Sequence, residues 1–251
     1  MNFVSKKNQI EFFNNDSSVI DNYPIIEAKN LKLKWVDKAK QDFQNLVKVG
    51  ADKIPGFNHM TRCPGIFDMF NCGYIVTLHR DLIIKPHEEE FESLFAGEDV
   101  GLMGGSSVVA VDKHSLSLLA KPPWASNFAI KISTGWHVIA PKGVTLIMLP
   151  IAYPDNYEFT STIGIVNPAI DTQVNFQLYW NGIKEETIIK AGTPLGQLIP
   201  LSEKKYEMVQ REMNQQDHDW IVRQEHAYFS TFWRITMRKK VQAMYKKFWN
   251  R

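Results

Sequence analysis

The chain has 251 residues, 44% of them hydrophobic and 22% charged, an ordinary globular composition that argues against intrinsic disorder. Its net charge of +2 is unevenly distributed, because residues 234–251 hold seven Lys/Arg and no acid. Residues 1–233 therefore carry 22 basic and 27 acidic residues, a net charge of −5. These values predict a mildly acidic body with a strongly basic C-terminal tail.

Neither a secretory signal nor a transmembrane segment is expected. The first residues are not followed by an apolar core, and the best apolar run, residues 143–151, is shorter than the roughly 18 residues that span a bilayer. The two cysteines, Cys63 and Cys72, are expected to be free thiols in a reducing compartment. The predicted location is the cytoplasm.

Taken in chain order, the elements predict a mainly β fold. The alternating segment Leu31–Val36 predicts a half-buried strand, and Lys38–Val49 predicts a short helix. The other predicted strands lie at residues 73–78, 82–84, 108–111, 129–132, 136–140, 145–149, 157–162, 164–166, 174–180, 186–190 and 195–200. Hairpin turns are predicted at Pro141–Gly143 and Asn181-Gly182. Short strands without crossover helices indicate an antiparallel sandwich or barrel.

The pattern changes after residue 202. Residues 203–215 are polar and helix-forming, and residues 217–220 are predicted to interrupt the helix. From Glu225 to Trp249 apolar positions recur in steps of three and four, which predicts an amphipathic helix. We therefore expect a β-rich core domain at 1–202, with an irregular N-terminal segment, and a helical extension at 203–251 that packs on the core or on a neighbouring subunit.

The extension also predicts an interaction surface, because basic side chains flank its apolar stripe. Its candidate contact residues are Phe232, Trp233, Arg238, Lys239, Lys240 and Trp249. The expected partner is a second copy of the chain or another protein. Nucleic acid and an anionic membrane surface are the alternatives.

Three segments carry a resemblance when taken in order. They are residues 63–70, residues 136–149 and residues 174–176 leading to 189–200. Together they resemble an uncharacterised protein family of marine tailed phages and some bacteria, over residues 54–200. The resemblance implies a β-rich phage-type protein and supplies no reaction. It implies a location in the infected host cell, with virion association as an alternative.

A second likeness concerns the late strands. Residues 164–166, 174–178 and 189–198 look like the strand–turn–strand section of trimeric dUTP hydrolases. Asn167 stands where those enzymes place an aspartate, and their Pro-Arg-Ser-Gly phosphate-binding segment is absent. The likeness implies a nucleotide pocket with Asp171 and Gln197 as its candidate ligand-binding residues.

A metal site is predicted from His79, Asp81 and His137. A strand with His and Asp two positions apart presents both side chains on one face, and a histidine from a later strand completes a two-histidine, one-carboxylate triad for iron(II). The spacing is similar to that of 2-oxoglutarate-dependent oxygenases. Chance matches are easy with seven histidines. The alternative is that Arg80-Asp81 is an exposed turn and that His137 packs beside Trp136.

No complete catalytic set is present in the sequence. The leading hypothesis is therefore a non-catalytic binding or assembly module without a cofactor. The alternatives are an iron(II)/2-oxoglutarate-dependent oxygenase and a nucleotide-binding protein with a dUTP-hydrolase-like β fold.

Overall fold

The computed structural model describes residues 8–86, 91–95, 111–115, 121–181, 186–229 and 239. Within these ranges the fold has fourteen strands and four α-helices. The strands are β1 (Gln9–Asn14), β2 (Ile26–Glu27), β3 (Tyr74–Thr77), β4 (Leu82–Pro86), β5 (Phe91–Phe95), β6 (Val111–Ser115), β7 (Ala125–Ile139), β8 (Leu146–Leu149), β9 (Phe159–Ser161), β10 (Gly164–Val166), β11 (Gln173–Asn181), β12 (Thr187–Ile189), β13 (Pro194–Pro200) and β14 (Glu207–Glu212). The helices are α1 (Ser17–Asn22), α2 (Lys34–Lys48), α3 (Pro64–Phe70) and α4 (Gln215–Phe229).

The strands form three sheets. The first has the order β14-β1-β7-β11-β9, with β6 also paired to β7. The second has the order β10-β8-β13-β3-β2, and the third has the order β12-β4-β5. The described strand pairs are antiparallel except for β1 and β14, which run parallel. The predicted mainly β, antiparallel fold is confirmed, and none of the described sheets closes into a barrel.

The first two sheets pack face to face around one apolar core. Phe12 of β1 meets Tyr74 of β3 edge to face, with ring centroids 5.3 Å apart. Across the core, a Cβ added at Gly196 of β13 would overlap the ring of Phe176 on β11, so this position requires glycine. This contact makes the two sheets a sandwich, since side chains from their inner faces interdigitate.

The strand predicted at Leu31–Val36 is wrong, because helix α2 begins within this segment. The helix begins at Lys34, and only the residues before it are extended, with Leu33 in the β region and its side chain buried. The helix predicted at 38–49 is confirmed with an earlier start. A six-residue alternation is too short to distinguish an extended lead-in from a strand, which explains the error.

The helical prediction for residues 203–215 is also wrong. Residues 207–212 form β14, which pairs in parallel register with β1 from Gln9 opposite Glu207 to Asn14 opposite Glu212. The predicted interruption at 217–220 lies inside α4. Pairing with a strand that lies about two hundred residues earlier in the chain overrides a local helical propensity, since strand propensity depends on cross-strand packing.

Among the described strands, neither predicted hairpin pairing is present. The turn at Pro141–Gly143 connects β7 of the first sheet to β8 of the second. Strand β11 ends at Asn181, but β12 pairs with β4 of the third sheet. Gly182 lies outside the described residues. A turn signal does not specify which strands pair across it.

Both cysteines are free and exposed. None of the helices in the described part of the chain is long and apolar enough to cross a bilayer.

Candidate functional site

The predicted metal ligands lie in different environments. The Asp81 carboxylate accepts hydrogen bonds from the Lys190 Nζ and the Ala191 backbone N–H, each at 2.8 Å. These hydrogen bonds lower the pKa of Asp81, and the bond from Lys190 has the largest effect. His79 is 7% exposed, and burial lowers its pKa to about 4. The Asp81 carboxylate therefore helps to hold the turn before β13.

His137 lies on β7 in the first sheet. Its ring stacks on Phe13, with centroids 5.1 Å apart, and its Nδ1 lies 3.0 Å from the Thr172 Oγ1. Burial lowers the pKa of His137 to about 4, although the Asp217 charge acts in the opposite direction. Among the described residues no group of three or more His, Cys, Asp or Glu is placed to hold a metal ion, so the triad is not brought together.

The two predicted nucleotide-binding residues make hydrogen bonds within the chain. Gln197 on β13 is 1% exposed, and its Nε2 donates to the carbonyl oxygens of Met69, at 2.7 Å, and Cys72. Gln197 therefore fixes α3 against the second sheet. Asp171 precedes β11 of the first sheet, where its carboxylate accepts from the Gln173 backbone N–H at 2.9 Å.

Most of the predicted tail surface lies outside the described residues. The structure does not describe Phe232, Trp233, Arg238, Lys240 or Trp249. Lys239 is described, and it is exposed.

A cavity of about 270 Å³ opens where β9 and the start of β13 meet the segment before α2. We call it the lysine cavity. Its apolar residues are Leu33, Ile151, Pro154, Phe159, Pro194 and Leu195, and its polar residues are Lys32, Lys34, Asp155, Asn156, Thr160, Ser161 and Thr193. The Ser161 hydroxyl donates to the Leu195 carbonyl oxygen and so ties β9 to β13 beneath the cavity.

Three charged residues line this cavity: Lys32, Lys34 and Asp155. Neither Lys32 nor Lys34 is ion-paired with any residue that the structure describes. The Asp155 carboxylate lies in the same wall but accepts a hydrogen bond from the Lys34 backbone N–H at 2.9 Å. That bond caps α2, since the N-cap residue Leu33 supplies no side-chain acceptor. Both lysine side chains are exposed at this cavity.

A second, larger cavity of about 640 Å³ lies on the other side of the 153–158 loop, and we call it the aromatic cleft. It is lined by Trp35, Lys38, Ala39, Gln41, Asp42, Asn45, His59, Met60, Tyr153, Asp155 and Tyr157. The Trp35 indole N–H donates to the Tyr153 carbonyl oxygen at 2.8 Å, and the two rings meet edge to face. Tyr153 has a φ of +50°, a strained conformation for a bulky residue that these contacts maintain.

Asp42 and His59 form a carboxylate–imidazole pair in the aromatic cleft, an arrangement that general bases in enzymes also use. The His59 Nδ1 accepts from the Thr61 backbone N–H at 3.2 Å, so Nε2 carries the proton and donates to the Asp42 carboxylate at 3.2 Å. Both ring nitrogens are therefore engaged. In this arrangement His59 has no free nitrogen to accept a proton from a substrate, and the pair fixes the segment before α3 to α2.

Sequence reasoning missed both cavities. The alternation of Lys32, Leu33 and Lys34 predicts a half-buried strand, whereas in the structure this segment leads into α2 and both lysines line one cavity. Nothing local links this segment to Asp155, which lies 121 residues away.

No protein-family model matches the chain, and no curated protein is significantly similar to it. The resemblances to the phage family and to the dUTP hydrolases therefore stay predictions.

Proposed function

We propose that the chain is a non-catalytic binding module that holds a small organic anion in the lysine cavity. The observation that supports this proposal is that two exposed lysines, neither of them ion-paired with a described residue, line one cavity with an apolar floor. Binding pockets commonly combine an apolar lining with a few convergent polar groups.

The energetics favour a ligand with both a charge and an apolar part. An ion pair between an exposed lysine and an anionic oxygen contributes only about 0–1 kcal/mol, so the apolar part of the ligand has to supply most of the affinity. Thr160 and Thr193 are neutral polar residues of the same wall. Phe159 and Leu195 are buried beneath the cavity, so the apolar part of a ligand would remain in contact with carbon there. A volume of about 270 Å³ fits a compact ligand.

The non-catalytic part of the proposal is supported by the state of the titratable groups. Asp42 and His59 satisfy each other, the Asp81 carboxylate pairs with Lys190, and Asp155 caps α2. Each of these groups has a structural partner in its described surroundings.

A deoxynucleotide is the second candidate ligand. The observation that favours it is the adjacency of the aromatic cleft, which shares Asp155 with the lysine cavity. Tyr153 and Tyr157 are 54% and 75% exposed, so a base has rings to stack on while phosphates meet the lysines.

The wider biological setting follows from the resemblance and from the basic tail. We propose a phage protein of the infected host cell, cytoplasmic or associated with the virion, whose residues 230–251 contact a second copy or another phage protein. Nucleic acid and anionic membranes stay alternatives for that segment. Removing residues 225–251 should change the oligomeric state or solubility, and an unaltered protein would contradict this role.

A thermal-shift screen tests the ligand proposal. The probes are inorganic phosphate, 2-oxoglutarate with and without iron(II) under anaerobic conditions, dUMP and dUTP. A ligand at about 100 times its Kd stabilises the folded state by roughly 2.7 kcal/mol, which raises the Tm by a few degrees. The shift should disappear in Lys32→Ala/Lys34→Ala and persist in Lys40→Ala, an exposed lysine on α2 outside both cavities. No shift with any of these probes, or an equal shift in the double variant, would contradict the proposal.

A further inference from the structure

Strand β10 forms one edge of the five-stranded sheet. It pairs with β8, from Gly164 opposite Met148 to Val166 opposite Leu146, and with no other strand that the structure describes. An edge of this kind presents backbone N–H and C=O groups that another strand can pair with.

The outward face of this edge is apolar. Val166, Leu146 and Met148 point into the core, so the residues that alternate with them point outward. Ile165 lies opposite Ile147, which lies opposite Ile199 of β13, and the three form one row across the outer face. Ile165 is 59% exposed and the preceding Ile163 is 70% exposed.

The same edge carries no charge. No Asp, Glu, Lys or Arg occurs between Glu158 and Asp171, and β8 and β13 contain none either. Short length, charges and prolines commonly protect the edge strands of monomeric proteins. Strands β10 and β12 are both three residues long, but β12 is also flanked by the charged Glu186 and Lys190. A charged partner would leave its charges without partners against this neutral, apolar edge, whereas the same edge of a second copy matches it. This match favours a second copy over a charged partner.

We propose that two copies of the chain associate by antiparallel pairing of β10 with its counterpart about a two-fold axis at Ile165. This arrangement is self-complementary, since the same patch serves both subunits. It joins two five-stranded sheets into one sheet of ten strands and makes the isoleucine row continuous across the interface. The inference does not depend on the lysine cavity.

Measurement of molar mass by light scattering tests the association with the full-length chain. The wild type should have twice the 28.9 kDa mass of one chain. Ile165→Lys should reduce the mass to that of one chain, because two ammonium groups would face each other at the axis. Ile188→Lys is the matched control, since Ile188 is 45% exposed in an edge strand of equal length. The control should retain the wild-type mass.

Cross-linking tests the geometry without a disruptive charge. Directly opposed residues of an antiparallel pair have Cα atoms about 4.5–5.5 Å apart, within the range of a disulfide. In a Cys63→Ser/Cys72→Ser background, Ile165→Cys should therefore form a covalent dimer under mild oxidation, and Ile188→Cys should not.

The two experiments decide the proposal together. A dimer that Ile165→Lys dissociates and Ile165→Cys cross-links supports it. A wild-type monomer, a trimer, or a dimer that Ile165→Lys leaves intact would overturn it, as would equal cross-linking at positions 165 and 188.

Discussion

The carboxylate of Asp155 caps the N-terminus of α2 by accepting the backbone N–H of Lys34 at 2.9 Å, across 121 residues of sequence. Leu33 occupies the N-cap position and supplies no acceptor of its own. This bond holds the 153–158 loop against α2 and fixes the wall that the lysine cavity and the aromatic cleft share. The shape of both cavities therefore depends on the hydrogen bond between Asp155 and Lys34.

Asp155→Ala should destabilise the protein by about 1 kcal/mol, the typical cost of losing an N-cap side chain. The first turn of α2 should also lose protection from amide hydrogen exchange. Asp155→Asn keeps an acceptor oxygen and loses the charge, so it should lie between the wild type and the alanine variant. Chemical denaturation measures the three proteins, and identical stability of all three would contradict a capping role.

Arg211 fixes the C-terminal helix to the sandwich. Its guanidinium donates to both carboxylate oxygens of Asp217 and, through Nε, to Glu11 of β1. The Asp217 side chain is 1% exposed, so Arg211→Met leaves a buried carboxylate without its main partner. We expect a loss of about 3 kcal/mol in the free energy of unfolding.

Lys190→Met provides the matched control, because the Lys190 side chain is 69% exposed in its ion pair with Asp81. Its effect should be much smaller, since solvent screens exposed pairs. Equal losses in urea denaturation of the two variants would show that burial does not set the strength of the Arg211 contact.

The pH dependence of stability should reflect the two buried histidines. Burial lowers the pKa of both His79 and His137 from 6.5 to about 4, so between these pH values the unfolded chain binds more protons than the native one. Stability is therefore complete above pH 6.5 and falls as the pH is lowered toward 4. Each histidine contributes a slope of about 1.4 kcal/mol per pH unit in that window.

His137→Leu removes one of these titrations and should reduce the slope by the contribution of one histidine. His218→Leu is the control, because the His218 side chain is 63% exposed. Denaturant midpoints measured across the window check the prediction, and an unchanged slope in His137→Leu would contradict it.

Gly73 should not tolerate a side chain. Its φ is +74°, and a Cβ would overlap the carbonyl oxygen of Leu198 on β13. Gly73→Ala should therefore cost more than about 1 kcal/mol through strain and displacement of the sheet. Gly65→Ala in α3, where a Cβ meets nothing within 4 Å, should be neutral or stabilising. Thermal unfolding compares the two variants, and equal Tm values would contradict the close approach at Gly73.

The fold was predictable where periodicity and burial agree. The strands at 174–180 and 195–200 were recognised because their apolar positions match the alternation of the sandwich faces. The start of α4 was misjudged although a local signal was present. The Asn214 side chain accepts from the backbone N–H groups of Gln216 and Asp217, and Asp217 accepts from the Asn214 N–H, the reciprocal pattern of a capping box.

The candidate site was less predictable, because it is assembled from distant segments. His79, Asp81 and His137 share residue types with an iron site, but strand pairing places Asp81 against Lys190 and His137 against Phe13. Conversely, Lys32 and Lys34 carry no motif, and only the tertiary contact with Asp155 places them at a cavity. Spacing along the chain does not determine which side chains converge.

Amide chemical shifts of the isotope-labelled full-length protein, recorded during separate titrations with dUMP and inorganic phosphate at millimolar concentration, test the binding proposal most directly. We predict saturable shifts centred on residues 32–34, 151–161 and 193–195, which disappear in Lys32→Ala/Lys34→Ala and remain in Lys40→Ala. Shifts in the 35–45 region with dUMP alone would place the base in the aromatic cleft. Absence of saturable shifts with both probes, or shifts centred away from these segments, would contradict the account.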